Sequence, residues 1–149
     1  MKKVNFKNLK HEEQILVEMA KKARENAYAP YSKYKVGAAV MSITKRGPQF
    51  YAGCNVETCI YQTTHAERNA IDTMVADGCR QIITMCCVAK GGGVPCAECR
   101  QFIWEFCGDN PEVPIISVDI KGNIEIYTIG ELYPHPFGPK DLGIDPEKY

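Results

Sequence analysis

The chain has 149 residues, the size of one domain, with enough residues to bury a core without disulfide staples. Its 18 Lys and Arg balance 18 Asp and Glu, so it lacks the basic excess that duplex DNA, tRNA or an anionic membrane calls for. Apolar residues at 45% and charged residues at 24% are too apolar a mixture for disorder, and no run of about 18 apolar residues could span a membrane.

Met1 to Phe6 carry no apolar secretory segment, so the expectation is a cytoplasmic chain whose eight cysteines are reduced and free to hold a metal. Ile15, Leu16, Met19, Ala20, Ala23 and Ala27 recur at helical spacing and predict an amphipathic helix over 11–28, ended by Pro30. Apolar runs at 36–43 and 50–56, joined by a loop with Gly47-Pro48, predict a hairpin. Thr63-Thr64 then read as the cap of a helix over 65–76, closed by Gly78. Residues 82–89 are apolar on both faces and predict a central strand. After Gly91-Gly92-Gly93, Pro95 opens a third helix that reaches Phe106 and stops at Gly108. Two strands follow at 113–118 and 124–129 around the turn at Gly122-Asn123. The order α-β-β-α-β-α-β-β implies one α/β domain over 1–149, a mixed five-stranded sheet with helices on its faces. The tail from about 133 holds Pro134, Pro136, Pro139 and Pro146 and is expected to be irregular.

Two fragments carry chemistry. His65-Ala66-Glu67 opens one helix, and Pro95-Cys96-Ala97-Glu98-Cys99 opens another. Cysteines three apart in a first helical turn share a face, and a helix N-terminus favours thiolates. If the two helix starts converge, one nitrogen and two sulfurs surround a point: a three-ligand zinc site with its fourth position open, as catalysis requires. Glu67 would stand beside that position without binding the metal. Taken alone, the Cys pair also reads as a redox pair or as core cysteines, since Cys96, Cys99, Ile103 and Cys107 fall on one stripe. A thioredoxin-like redox pair, however, would come earlier in the fold. Together the fragments match the signature of zinc nucleobase deaminases.

Pro30 to Ala39, Gly53-Cys54-Asn55-Val56-Glu57 and the closing Gly130 to Leu142 resemble the cytidine deaminase family, specifically its short, homotetrameric branch. The resemblance runs from about 12 to 142. It implies a three-layer α/β/α fold and one Zn²⁺ per chain on His65, Cys96 and Cys99, with Glu67 as the catalytic proton carrier. It implies that Asn55 and Glu57 hold the ribose hydroxyls, that Tyr34 packs on the substrate and that the Ala66 backbone contacts the base. It also implies that Phe137 reaches into a neighbouring subunit's site of a homotetramer. The implied activity is hydrolytic deamination of cytidine or deoxycytidine in pyrimidine salvage: zinc lowers the pKa of water from about 15.7 toward about 7, and Glu67 relays protons to N3 and to the departing amine.

The chain departs from the short-branch pattern at His65, where Cys is usual, at Thr58-Cys59 in place of Asn-Ala, at Glu98, and in a segment before His65 one residue shorter. With an imidazole in the ligand set, Arg68 is expected to matter less than beside three thiolates. These changes keep blasticidin S deamination open as an alternative, and a non-catalytic zinc-stabilised module is the alternative of another class. Cys86 and Cys87 are adjacent in a strand and cannot share a metal. Cys54, Cys59, Cys79 and Cys107 read as small apolar fillers, His11 as solvent-facing and Trp104 as packing.

Overall fold

In the computed structural model, which describes residues 1–149, the first predicted helix forms over His11–Glu25 (α1). Its N-terminus is closed where the Lys10 amide donates to the Glu13 carboxylate at 2.8 Å. Leu16, Val17 and Ala20 are its buried residues. It stops three residues short of the expected end because the backbone that follows is claimed by another pairing. The Tyr28 amide donates to the Asn55 carbonyl at 3.0 Å, and the Glu57 amide donates to the Tyr28 carbonyl at 2.9 Å.

The predicted hairpin forms from Gly37–Thr44 (β2) and Gly47–Cys54 (β3), in full antiparallel register from Gly37 opposite Cys54. The turn is Lys45-Arg46 rather than Gly47-Pro48. Gly47 takes the positive φ of +96° at the turn's exit. Pro48 is tolerated inside β3 because that strand lies at the sheet's edge. Two short segments, Val56–Glu57 (β4) and Thr63–Thr64 (β5), pair antiparallel as a separate ribbon. The remaining elements are Ala66–Ala76 (α2), Thr84–Ala89 (β6), Ala97–Glu105 (α3), Pro114–Asp119 (β7), Ile124–Thr128 (β8) and the single turn Ile129–Leu132 (α4). Thr128 and Glu131 cap α4 reciprocally, with amide-to-side-chain bonds of 2.9 and 3.2 Å.

The sheet has six strands, not the expected five. Lys2–Val4 (β1) adds to β8, giving the order β1-β8-β7-β6-β2-β3, in which only β6 and β7 run parallel. A three-residue segment with two lysines carries no alternation to read, so only its partner makes it a strand. The fold is α/β, and the three layers follow from the pleat. Ala39, Cys86, Val88, Ile116 and Val118 face α1, whereas Ala38, Val40, Met85, Cys87 and Ile115 face α2 and α3. Cys86 and Cys87 therefore do point to opposite faces, and burial pushes both thiols well above their usual range. The tail is irregular but docked. Gly138 lies against the Trp104 indole, and Gln101 Nε2 donates to the Phe137 carbonyl at 3.0 Å.

Gly53 is where the sheet meets α2. A Cβ there would strike the Ala70 amide and the Ala66 carbonyl, both rigid backbone. Gly53→Ala is expected to lower unfolding stability by about 1–3 kcal/mol, measured by denaturant titration, because the helix must move off the sheet.

Candidate active site

The starts of α2 and α3 converge. His65 and Cys96 occupy the N-cap positions of their helices, and neither side chain makes a capping bond. Ser, Thr, Asp or Asn normally fills that position. Here the cap is given up to leave imidazole and sulfur free. Thr63-Thr64, expected as the cap, pair in β5 instead, and Pro95 precedes α3 rather than opening it.

His65 Nδ1 lies 3.2 Å from Cys99 Sγ and 3.4 Å from Cys96 Sγ, and all three donor atoms fall within 4.8 Å of one another. The nitrogen–sulfur edge of a tetrahedral zinc site is about 3.5 Å, given bonds of about 2.0 and 2.3 Å. The donors fit zinc after a small outward adjustment, and the atom that faces both sulfurs is Nδ1. No further His, Cys, Asp or Glu joins this cluster. Cys99 is fully buried, and burial, with the Glu67 carboxylate second, pushes its thiol well above the usual range. A thiol held protonated there gives up its proton when zinc binds.

His65 and Cys96 open onto a cavity of about 310 Å³, at the small end of the ~300–1,000 Å³ typical of small-molecule sites. Its wall brings together Tyr34, Asn55, Glu57, His65, Ala66, Glu67 and Cys96. Glu67, 7% exposed, is the second residue of α2, and Ala66 is the first, where the amide has no partner within the helix. Asn55 is tied on both sides. Its Oδ1 accepts from the Val36 amide at 2.8 Å, and its Nδ2 donates to the Tyr34 carbonyl at 2.9 Å. Glu57 Oε2 accepts from the amides of Tyr31 and Ser32 at 2.9 and 3.1 Å, while Oε1 accepts from the Ser32 hydroxyl. The Ser32 hydroxyl, with the two amides behind it, holds the Glu57 carboxyl below the usual range. Tyr34 OH donates to the Lys90 carbonyl at 3.0 Å. Phe137 is 60% exposed and lies outside this wall.

Sequence reasoning missed Ser32, Thr63 and the loop Gly92-Gly93-Val94 as wall residues. The glycines carried a signal: Gly92 has φ +113°, and a Cβ at Gly93 would strike the Cys87 carbonyl. A larger hollow of about 690 Å³ near β1 holds no comparable chemistry, since the Asp119 carboxylate there is consumed by the turn at Lys121 and Asn123. Arg68 Nη1 contacts Glu98 at 2.5 Å, with the guanidinium 4.9 Å from the centre of the Phe102 ring. Cys79 and Cys107 are buried fillers as expected. Cys54 is half-buried, and Cys59 is exposed and fills nothing. Trp104 packs in the core and His11 faces solvent.

Residues 10–114 match the family described as the cytidine and deoxycytidylate deaminase zinc-binding region. The chain belongs to this family. The cytidine deaminase of Sporosarcina psychrophila is 41% identical over 136 residues, covering 89% of this chain and 96% of that one. A crystal structure of cytidine deaminase from Burkholderia pseudomallei superposes with a TM-score of 0.75 at 36% identity, covering 87% of this chain and all of the other. One from Mycobacterium leprae gives 0.68 at 32% identity, over 85% of this chain and all of that one. Membership of the deaminase family makes zinc the metal for which His65, Cys96 and Cys99 are positioned.

Two outcomes are expected from the donor set. Cys99→Ser should lose most bound zinc, measured as metal per chain after dialysis, because an alcohol replaces a thiolate poorly. Zinc affinity should fall on acidification from about pH 8 to about pH 6 in a chelator competition, because protons held on the sulfurs compete with the metal.

Proposed function

We propose that the protein is a hydrolytic deaminase of free cytidine and deoxycytidine, releasing ammonia and leaving the uracil nucleoside. The observation that carries this reading is that Glu67 lines one cavity together with the metal donors His65 and Cys96 and with Asn55 and Glu57. When bound, zinc is a Lewis acid that makes a water acidic enough to attack C4 of the ring. Glu67 accepts the proton released in that attack and delivers it to N3. It then takes the proton of the new C4 hydroxyl and passes it to the departing amine, so that the C4 carbonyl forms as the C–N bond breaks and ammonia leaves. Such relays contribute ~10²–10⁴-fold to the rate.

Asn55 and Glu57 supply the acceptors and donor for the sugar hydroxyls, the Tyr34 ring packs against the substrate, and the Ala66 amide meets the base. That wall favours a nucleoside, and blasticidin S is the competing substrate to place beside cytidine, deoxycytidine and their monophosphates in an ammonia-release panel. A non-catalytic zinc module would need a fourth protein donor, and the cluster has three. The enzyme acts as a single domain over 1–149 in cytoplasmic pyrimidine salvage, and no helix is long and apolar enough to cross a membrane. It needs no nucleic-acid partner, in keeping with zero formal net charge.

Assembly as a homotetramer completes the site in this reading. The Phe137 backbone is pinned to α3 while its ring projects into solvent, which suits it to a neighbour's site.

Glu67→Gln should keep zinc and fold but lose at least ~10²-fold in turnover, read by ammonia release. A variant within a few-fold of the parent enzyme would remove Glu67 from the mechanism. Mixing inactive Glu67→Gln with inactive Phe137→Ala under subunit exchange should restore activity, because some sites then combine an intact Glu67 with an intact Phe137. No recovery despite demonstrated exchange, or a monomer by light scattering, would refute completion in trans.

A further inference from the structure

We propose that Ser32 is a positioning residue of the nucleoside site: its hydroxyl holds the Glu57 carboxylate turned toward the cavity and thereby sets selectivity for the sugar hydroxyls. This rests on the reading of Glu57 as a sugar-binding residue. Ser32 belongs to the exposed segment between α1 and β2, and it touches neither the metal donors nor Glu67 through any hydrogen bond.

The hydrogen-bond inventory supports the assignment. A serine hydroxyl has one hydrogen to give. The Tyr34 amide donates to Ser32 Oγ at 3.0 Å, so Oγ is an acceptor on that side and its hydrogen goes to Glu57 Oε1. A carboxylate offers about four acceptor positions. The amides of Tyr31 and Ser32 fill two on Oε2, and the Ser32 hydroxyl fills one on Oε1. A single position remains on Oε1 for a donating sugar hydroxyl. Lys33, at φ +59°, turns the chain so that the Ser32 hydroxyl and the Tyr34 amide meet.

Glu57 also has somewhere else to go. On the far side of Ser32 and Glu57 lies a second hollow of about 370 Å³, bounded by Tyr31, Thr58 and Tyr61. Ser32, Glu57 and Thr63 border both spaces and so form the partition between them. Without the hydroxyl, Oε1 has two open positions and can turn toward water in the outer hollow. The same hydrogen bond is the first cause of the depressed Glu57 pKa, which keeps the group an acceptor.

The test measures KM and kcat of the zinc-loaded enzyme for cytidine, 2′-deoxycytidine and 3′-deoxycytidine in Ser32→Ala, Ser32→Thr and Glu57→Gln. Losing a hydrogen bond to a charged group predicts that Ser32→Ala raises the cytidine KM at least ~10-fold. It should leave kcat and zinc content unchanged, and Ser32→Thr should restore the KM. The penalty for the deoxynucleoside lacking the hydroxyl that Glu57 accepts should shrink in Ser32→Ala as it does in Glu57→Gln. An unchanged cytidine KM in Ser32→Ala, beside a raised one in Glu57→Gln, overturns the role of Ser32 alone. An equal rise in KM for all three substrates shows a structural role only and overturns it as well. A cytidine KM untouched by Glu57→Gln overturns the sugar-binding reading of Glu57 together with this inference.

Discussion

The convergence of two helix N-termini at one end of the sheet is the constraint on which the rest of the molecule depends. One nitrogen and two sulfurs must meet within a few ångströms, and they arrive from α2 and α3, more than thirty residues apart in the chain. Both helices surrender the cap that would normally close them, at a cost of about 1 kcal/mol each. Packing makes this possible. Gly53 lets β3 press against the first turns of α2, and the same apolar layer holds Ile103 of α3, one turn after the buried Cys99. The donors are thus held by two helices seated on one sheet rather than by a loop, and a helix that shifted would carry its ligand away.

Charge in this corner is balanced locally. One imidazole and two thiolates around Zn²⁺ sum to zero, where three thiolates would leave a net negative centre. The positive Arg68, one turn into α2, is matched by Glu98 between the two cysteines. This pair is 39% and 59% exposed, so it contributes little to stability. Arg68 Nε is buried without a hydrogen-bond partner, so the guanidinium is seated by Phe102 and by Glu98 at its tip. Glu98, a departure from the family pattern, is thus tied through Arg68 to the helix that follows His65.

The rest of the cavity wall is built by a different principle. Asn55 and Glu57 anchor the segment between α1 and β2 through its amides, its Tyr34 carbonyl and the Ser32 hydroxyl. Two polar side chains that line the cavity are thus also the groups that hold its wall in place. Each is fixed in orientation before a ligand arrives, which lowers the ordering cost of binding. The separate ribbon of β4 and β5 carries Glu57 and leads directly into His65, so this wall and the metal donors share one short stretch of chain.

Much of this was legible in the residues themselves. Apolar periodicity located three helices and the hairpin. The spacing His-x-Glu and Cys-x-x-Cys exposed the metal chemistry, because ligand identity and helical repeat are local properties. The unbroken apolar run before the glycines correctly placed β6 in the sheet's interior. What lay beyond the sequence was set by partners distant along the chain. β1 is a strand only because β8 offers it an edge. α1 ends early because Tyr28 pairs with Asn55 and Glu57. The helix cap was misplaced at Thr63-Thr64 because a residue recruited as a ligand stands where a cap would stand. Ser32 carried no motif of its own, since its meaning depends on a carboxylate 25 residues away. Local chemistry determined which atoms could bind and react, and tertiary structure decided which of them face one another, because hydrogen bonds and packing across the fold have no period that a single segment can display.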